Sequence, residues 1–144
     1  MKYFVSDEHW DIEGYYKNLE NLSERLGSSY QLLKEIALHD CRLVKMEVAE
    51  SASLVIEVKL YLRNPYENID YVINWKNVKN FSFQYDCLQY KFANTDDYVT
   101  DDGYGTVAED EITAYDDKYL QHELLFTSRM KLCLVGESIE INQS

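Results

Sequence analysis

Proline and glycine are scarce in this chain, which has one proline and five glycines among its 144 residues. This scarcity excludes collagen-like proteins and flexible linkers. The three cysteines, Cys41, Cys87 and Cys133, lie far apart and form no C-x-x-C pair. Neither a zinc knuckle nor a disulfide framework is therefore indicated. We interpret the cysteines as small apolar side chains of a protein in a reducing cytosol.

Long apolar runs are also missing. No stretch approaches the roughly 18 apolar residues that a membrane helix needs. The N-terminus turns acidic within its first seven residues and lacks the apolar centre of a secretory signal. The apolar fraction of 46% and the thirteen tyrosines are typical of a folded protein, and the length suits a single domain over residues 1–144. We expect a cytoplasmic protein.

Basic residues are few compared with acidic ones. Fourteen lysines and arginines stand against 26 aspartates and glutamates, giving a formal net charge of -12. A chain this acidic repels the phosphates of nucleic acids and of anionic membranes, so neither is expected as a partner. The same charge attracts a basic protein and speeds the encounter with it. Solubility alone is the alternative explanation of the charge.

Apolar residues at three- and four-residue spacing predict two N-terminal helices. The first covers residues 12–26 and has its stop signal at Gly27. The second opens with an S-x-x-Q capping box formed by Ser28 and Gln31 and extends to Leu38. The dipeptide that follows, His-Asp, is thereby placed at the C-terminus of a helix.

From residue 41 the apolar period changes to two, which is typical of strands. The predicted strands cover residues 43–48, 54–63, 69–75, 81–85, 119–127, 130–135 and 139–141. The first two strands should form one antiparallel hairpin, and residues 119–135 a second one. We predict an α+β fold in which an N-terminal helical pair (residues 7–38) packs on a mostly antiparallel β-sheet (residues 41–142).

Residues 93–111 follow neither period and predict a long acidic loop. No basic residue occurs from Phe92 to Asp117, and tyrosines alternate with the acids. An EF-hand is excluded, because its first ligand position falls on a tyrosine or a threonine. Acids that attract a basic partner, with tyrosines as rigid anchors, favour a protein-binding surface over an unpartnered solvated loop. The predicted partner-binding residues are Asp96, Asp97, Tyr98, Asp101, Asp102, Tyr104, Glu109, Asp110 and Glu111.

Two histidine-acid pairs are the candidates for chemistry. His39-Asp40 follows the second helix, and His122-Glu123 lies in a strand, where adjacent side chains point to opposite faces. We interpret His39 as part of a structural corner and His122 as a core histidine bonded to backbone. A zinc site built from both histidines has no ligand motif behind it. No nucleophile elbow, P-loop, dinucleotide fingerprint or H-E-x-x-H motif is present, so neither an enzyme nor a cofactor is predicted.

Two segments resemble parts of small bacterial proteins. Residues 35–62, EIALHDCRLVKMEVAESASLVIEVKLYL, are similar to a short helix ending in Leu-His-Asp that is followed by an antiparallel hairpin. Residues 109–141 are similar to the C-terminal half of those proteins, where an acidic segment precedes a His-Glu strand and a closing hairpin. Such proteins resemble the immunity proteins carried beside polymorphic and contact-dependent toxins. Arg129 replaces the usual glycine of the closing turn.

The resemblance covers about half of the chain and implies an α+β fold that binds a partner without an active site. Together with the charge, it leads us to expect an immunity protein that neutralises a basic toxin domain, such as a nuclease, by occluding its active site. The acids of residues 96–111 would occupy the toxin's phosphate-binding groove. The alternative is a small ligand- or metal-binding domain, or an unrecognised hydrolase, that uses His39 and His122.

Overall fold

The computed structural model of this chain describes residues 1–6, 9–35, 37–86 and 103–143. These residues form three short helices and ten strands, and every strand pairing is antiparallel, which confirms the predicted α+β class. The helices are α1 (Ile12–Asn21), α2 (Ser23–Leu26) and α3 (Ser29–Lys34). The strands are β1 (Phe4–Ser6), β2 (His9–Trp10), β3 (Arg42–Ala52), β4 (Val55–Asn64), β5 (Ile69–Lys76), β6 (Asn80–Gln84), β7 (Val107–Ala114), β8 (Leu120–Phe126), β9 (Lys131–Gly136) and β10 (Ser138–Gln143).

The first predicted helix is divided into two helices, because helical structure is interrupted at Leu22, between α1 and α2. The Asp11 side chain caps α1 by accepting a hydrogen bond from the Gly14 N–H at 2.9 Å. α2 ends at Gly27, whose φ of 58° lies in the left-handed region that glycine adopts without strain. The predicted stop at Gly27 is therefore confirmed. No helix among the described residues is long and apolar enough to cross a membrane.

The predicted capping box of the second helix is wrong. Ser28 makes no side-chain capping hydrogen bond to α3, and the Gln31 amide donates to Glu35 at 2.9 Å instead. α3 stops at Lys34, and the chain then turns through residues 37–40 instead of remaining helical. The histidine-aspartate dipeptide therefore lies in a turn and not on a helix.

The strands form two four-stranded sheets, where the alternation had suggested one. The first sheet has the order β10-β5-β4-β3 and the second has the order β6-β9-β8-β7, while β1 and β2 form a separate hairpin. The predicted hairpins β3–β4 and β8–β9 are both present. β10, predicted as a tail strand, crosses to the first sheet, where Ile139 lies opposite Trp75. The short link from β9 to β10 thus connects the two sheets.

The inner faces of both sheets and the helices share one hydrophobic core. Alternate residues of β4, β5 and β8 are buried, as their period predicts. α1 contacts β7, whereas α2 and α3 contact β10, so the helices lie against one edge strand of each sheet. The β1–β2 hairpin also reaches β7 through β1. The acidic strand β7 is therefore the place where helix, hairpin and sheet meet.

β3 buries a different set of residues from the one that alternation predicts. Val44 and Val48, expected on the apolar face, are 59% and 53% exposed, while Leu43 is only 3% exposed. A register shift between Leu43 and Lys45 interrupts the alternation, so that Leu43 before it and Met46 after it both face the core. β3 is also an edge strand of its sheet, and the start of it is bridged on the outer side by Thr106, which pairs with Arg42.

Candidate functional site

A pocket of about 110 Å³ lies between the β1–β2 hairpin, α1, the turn after α3, and β7. Four aromatic side chains line it: Phe4, Trp10, Tyr15 and Tyr16. Asp110 of β7 also lines this pocket, with Glu109 and His39 beside it. We call it the aromatic pocket. It is mostly apolar, with a carboxylate in its wall.

The aromatic walls follow from local pairing and helix periodicity. The β1–β2 pairing places Phe4 opposite Trp10, and their rings meet edge to face with centroids 5.6 Å apart. Phe4 also meets Tyr15 of α1 edge to face at 5.1 Å. The Tyr15 hydroxyl accepts a hydrogen bond from the Ile112 N–H of β7 at 2.9 Å. Burial, with the nearby charge of Asp110, raises the pKa of Tyr15 well above its ordinary value.

Behind the pocket, three side chains form a buried hydrogen-bonded chain. The Trp75 indole Nε1 lies 3.1 Å from Nδ1 of His122, and His122 Nε2 lies 2.9 Å from Asp110 Oδ2. An indole N–H can only donate, so Nδ1 of His122 must be the acceptor. The proton of the neutral imidazole is then on Nε2, where it donates to the Asp110 carboxylate. This arrangement assigns the histidine tautomer from geometry alone.

His122 orients Asp110 but does not reach the pocket. The His122 side chain is fully buried, and it is absent from the pocket lining, whereas the Asp110 side chain is 14% exposed. Within the described residues, Asp110 makes hydrogen bonds only through Oδ2, which leaves Oδ1 for the pocket. A histidine sealed in this way holds a carboxylate in place and cannot act on a bound molecule directly.

The sequence interpretation of His122 was right about its burial and wrong about its partners. We expected a core histidine bonded to backbone, and it bonds instead to the side chains of Trp75 and Asp110. These partners come from β5 of one sheet and β7 of the other. Asp110 precedes Ile112, the register partner of His122, by two residues and so shares its face. The pair could have been found only if residues 107–114, which we did not predict as a strand, had been recognised as one.

Residues 107–111 were predicted as the end of a loop, and that prediction is wrong. They form the first half of β7. Glu111 is 1% exposed, and its carboxylate accepts hydrogen bonds from the backbone N–H groups of Lys2, Tyr3 and Phe4 at 3.0, 3.0 and 2.8 Å. This carboxylate fastens the N-terminal segment to the sheet. Its burial argues against Glu111 as a contact for a partner.

The other predicted contact residues divide into two groups. Asp96, Asp97, Tyr98, Asp101 and Asp102 lie outside the described residues. Tyr104 is half-buried, and its carbonyl accepts a hydrogen bond from the Ser128 hydroxyl at 2.6 Å.

Glu109 lies at the mouth of the aromatic pocket, where its carboxylate accepts a hydrogen bond from the Trp10 indole at 3.1 Å. Trp10 is 47% exposed, although it lines the pocket. An exposed tryptophan bonded to a surface carboxylate offers both an apolar face and a negative charge.

His39 and Asp40 lie in the turn between α3 and β3, as the corner interpretation has it. Their side chains are 41% and 56% exposed, and His39 Nε2 lies 3.5 Å from Asp40 Oδ1. Asp40 has a φ of 63°, and its N–H donates to the Val107 carbonyl at 3.0 Å. Among the described residues, no group of three or more His, Cys, Asp or Glu side chains is placed to hold a metal ion. His39 is at the pocket mouth and His122 is behind Asp110, so they form no common site.

The two sheets differ in charge. Strands β3, β4, β5 and β10 carry five basic and five acidic residues. Three ion pairs form among their side chains: Lys45–Glu47, Arg63–Asp70 and Lys76–Glu140. Strands β6, β7, β8 and β9 carry four acidic residues and one basic residue. The acidic excess of the strands is therefore on the second sheet, next to the aromatic pocket.

A second, larger groove lies on this acidic sheet. It has a volume of about 570 Å³ and extends over β6, β8 and β9 beside β1. Val5 and Phe83, which line it, are 69% and 52% exposed, and Glu109 and Glu123 contribute carboxylates. Glu109 and Phe4 border both the groove and the aromatic pocket. Lys131 and Met1, whose ammonium lies 3.6 Å from the Glu123 carboxylate, also line the groove. The two concavities are thus neighbours on one surface of the second sheet.

Comparison with protein-family models gave no match, and comparison with curated proteins gave none.

Proposed function

We propose that this protein is an immunity protein that binds a basic toxin domain, such as a nuclease, and blocks its active site. The observation that carries the proposal is the uneven charge of the two sheets, one balanced and one acidic. Glu111 is buried, so the acids that this sheet offers to a basic partner are the partly exposed Glu109 and Glu123. An acidic character needed only for solubility would require no such asymmetry.

The surface proposed for contact combines acids with exposed apolar side chains. Trp10 and Glu109 stand at the mouth of the aromatic pocket, and Val5 and Phe83 line the neighbouring groove. Exposed aromatic side chains beside concave surfaces are the usual anchors of protein interfaces. The sequence adds Tyr104 and the acids of residues 96–102 to the proposed contact residues. Neutralisation would follow because the acids occupy the groove in which the toxin holds phosphates.

The first experiment is capture of a partner from a lysate of the producing cells, in whose cytoplasm we expect the protein to act. The immobilised protein is loaded at low salt and eluted with rising salt, because screening weakens attraction between surface charges. The captured polypeptide is then assayed for nuclease activity with and without the immunity protein. A basic polypeptide whose activity is abolished by stoichiometric addition supports the proposal. Capture of polypeptides whose activity is unaffected contradicts it.

The role of the acids is tested by two matched quadruple variants. In the first, Asp96, Asp97, Asp101 and Asp102 are replaced by asparagine. In the second, the substitutions Glu47→Gln, Glu57→Gln, Asp70→Asn and Glu140→Gln make the same change of charge on the balanced sheet.

We expect the first variant to slow association by about tenfold or more at low salt and to flatten the salt dependence. The second variant should associate at nearly the parent rate. Stopped-flow association with the captured partner measures both rates. Equal slowing would mean that net charge alone matters, and no slowing in the first variant would remove these four acids from the interface.

A further inference from the structure

We propose that the aromatic pocket binds a primary alkylammonium group, with Asp110 as its counter-ion. The inference starts from three properties of the pocket: its size, its carboxylates and its aromatic walls. It deepens the proposed function in one respect, because the lysine side chain of a basic partner is one source of such a group. The pocket itself can be tested without any partner.

The size of the pocket selects a small ligand. Its volume is about 110 Å³. A cavity of about 150 Å³ holds benzene, so this one holds roughly five heavy atoms. n-Butylammonium has this size, and so does the part of a lysine side chain beyond its Cα. The apolar walls suit the methylene groups, and the carboxylate suits the charged end.

The charge of the pocket favours a cation. Asp110 and Glu109 are carboxylates, and within the described residues no lysine or arginine lines the pocket. An ammonium ion loses much of its hydration on entering an apolar pocket, and an oriented carboxylate compensates for that loss. Asp110 is oriented in advance because His122 holds it from behind at 2.9 Å. A ligand therefore meets a carboxylate whose position is already set.

The geometry of Asp110 favours an ammonium over a guanidinium. A guanidinium binds a carboxylate best through two parallel hydrogen bonds to both oxygens. His122 already donates to Oδ2, so one acceptor position of the carboxylate is taken, whereas Oδ1 makes no hydrogen bond within the described residues. An ammonium is a compact charge with three donors and needs only one carboxylate oxygen. The buried histidine is thus a positioning residue that presents Asp110 to an ammonium.

The aromatic walls add attraction for the same ligand. Phe4, Trp10, Tyr15 and Tyr16 contribute four rings to a small volume. Aromatic rings attract cations held over their faces and also pack against methylene groups. Cages of aromatic side chains with an acid are a recurrent way of binding alkylated ammonium groups. Removing one ring while keeping Asp110 should therefore weaken binding without abolishing it.

The test is a titration of the full-length 15N-labelled protein with n-butylammonium chloride, followed by NMR at the Trp10 indole N–H. We expect a saturable shift with a dissociation constant on the order of millimolar, as suits a ligand of about five heavy atoms. The neutral 1-butanol should bind about tenfold more weakly or not at all, and n-propylguanidinium should bind more weakly than n-butylammonium. Absence of a saturable shift, or equal binding of 1-butanol, overturns the proposal.

Two pocket variants and one control sharpen the test. Asp110→Asn keeps an oxygen for His122 and removes the charge, so we expect about tenfold or greater loss of binding. Asp70→Asn makes the same charge change on the other sheet and should bind like the parent. If Asp110→Asn fails to fold, Tyr16→Leu takes its place, with several-fold weaker binding expected. Parent-like binding by either pocket variant overturns the assignment.

A short lysine peptide tests whether the bound ammonium group belongs to a protein lysine or to a free amine. If acetyl-Gly-Lys-Gly-amide binds as n-butylammonium does, and Asp110→Asn weakens it equally, the pocket accepts a protein lysine. If n-butylammonium binds and the peptide does not, the pocket serves a free amine. Failure of the proposed function would appear separately, as unaltered toxin activity in the partner assay, while n-butylammonium still binds.

Discussion

The carboxylate of Glu111 offers the most direct test of how the N-terminal segment is held. Its two oxygens accept backbone N–H groups from Lys2, Tyr3 and Phe4 at 3.0, 3.0 and 2.8 Å, in a site where Glu111 is 1% exposed. The change Glu111→Ala removes the acceptors of all three donors. Because Phe4 also lines the aromatic pocket, the substitution should loosen the pocket as well as the segment.

The expected loss can be worked out from these three bonds. Hydrogen bonds to charged groups contribute about 1.5–3 kcal/mol each, so the gross interaction is roughly 5–9 kcal/mol. When the segment detaches, the three N–H groups bind water instead. The loss in the free energy of unfolding therefore cannot exceed the free energy with which the segment docks on the sheet. We therefore expect Glu111→Ala to lower the free energy of unfolding by about 2–4 kcal/mol. Glu111→Gln keeps one acceptor oxygen and should lose about half as much.

Urea unfolding followed by far-UV circular dichroism measures the loss, and amide hydrogen exchange at residues 2–4 locates it. Glu57→Ala is the control, because Glu57 is a half-buried acid of β4 in the other sheet, away from the N-terminal segment. The control should change the free energy of unfolding by no more than about 0.5 kcal/mol. Equal effects of the two alanine substitutions, or unchanged hydrogen exchange at residues 2–4 in Glu111→Ala, would refute the anchoring role.

Two further predictions concern the core and the thiols. In Gly136→Ala the new Cβ would lie 2.9 Å from Cε3 of the buried Trp75. We therefore expect the free energy of unfolding, measured by heat or urea, to fall by about 1–3 kcal/mol. An unchanged midpoint would contradict this contact. Burial raises the pKa of the Cys41 thiol from 9.0 to about 11, so the folded state keeps a proton that the unfolded chain releases. The contribution of the Cys41 thiol to the free energy of unfolding is fully present below pH 9. It falls by up to about 2 kcal/mol as the pH rises to 11. Cys41→Ala should remove this pH dependence of the free energy of unfolding. Alkylation of the folded protein at pH 8, mapped by mass spectrometry, should modify the half-buried Cys133 before Cys41.

Features that depend on neighbouring residues could be read from the sequence. The alternation in β4 and β8, the helix stop at Gly27 and the two hairpins are all properties of short segments. The acidic character of the chain and the corner at His39 also needed no tertiary information. In each case the hydrogen bonds or the periodicity that decide the structure lie within a few residues of one another.

The candidate site was only partly predictable for the opposite reason. Residues 109–111 look like part of an acidic loop, since charged residues conceal the alternation of a strand whose two faces are both covered. The register shift between Val107 and Glu109 obscures it further. Asp110 was predicted as a partner contact because of its charge. Its bond to His122 follows from the pairing of two strands and could not be inferred from charge.

By itself, the sequence determined the fold class, the strand-forming segments other than β1, β2 and β7, the acidic charge and the absence of familiar catalytic motifs. These depend on composition and on local periodicity. The tertiary structure decided that the strands divide into two sheets of unequal charge, and that Glu111 is buried. It also decided that Trp75, His122 and Asp110 form one chain facing an aromatic pocket. Such contacts join residues far apart in the chain, and strand order and register, which local preference leaves open, select them.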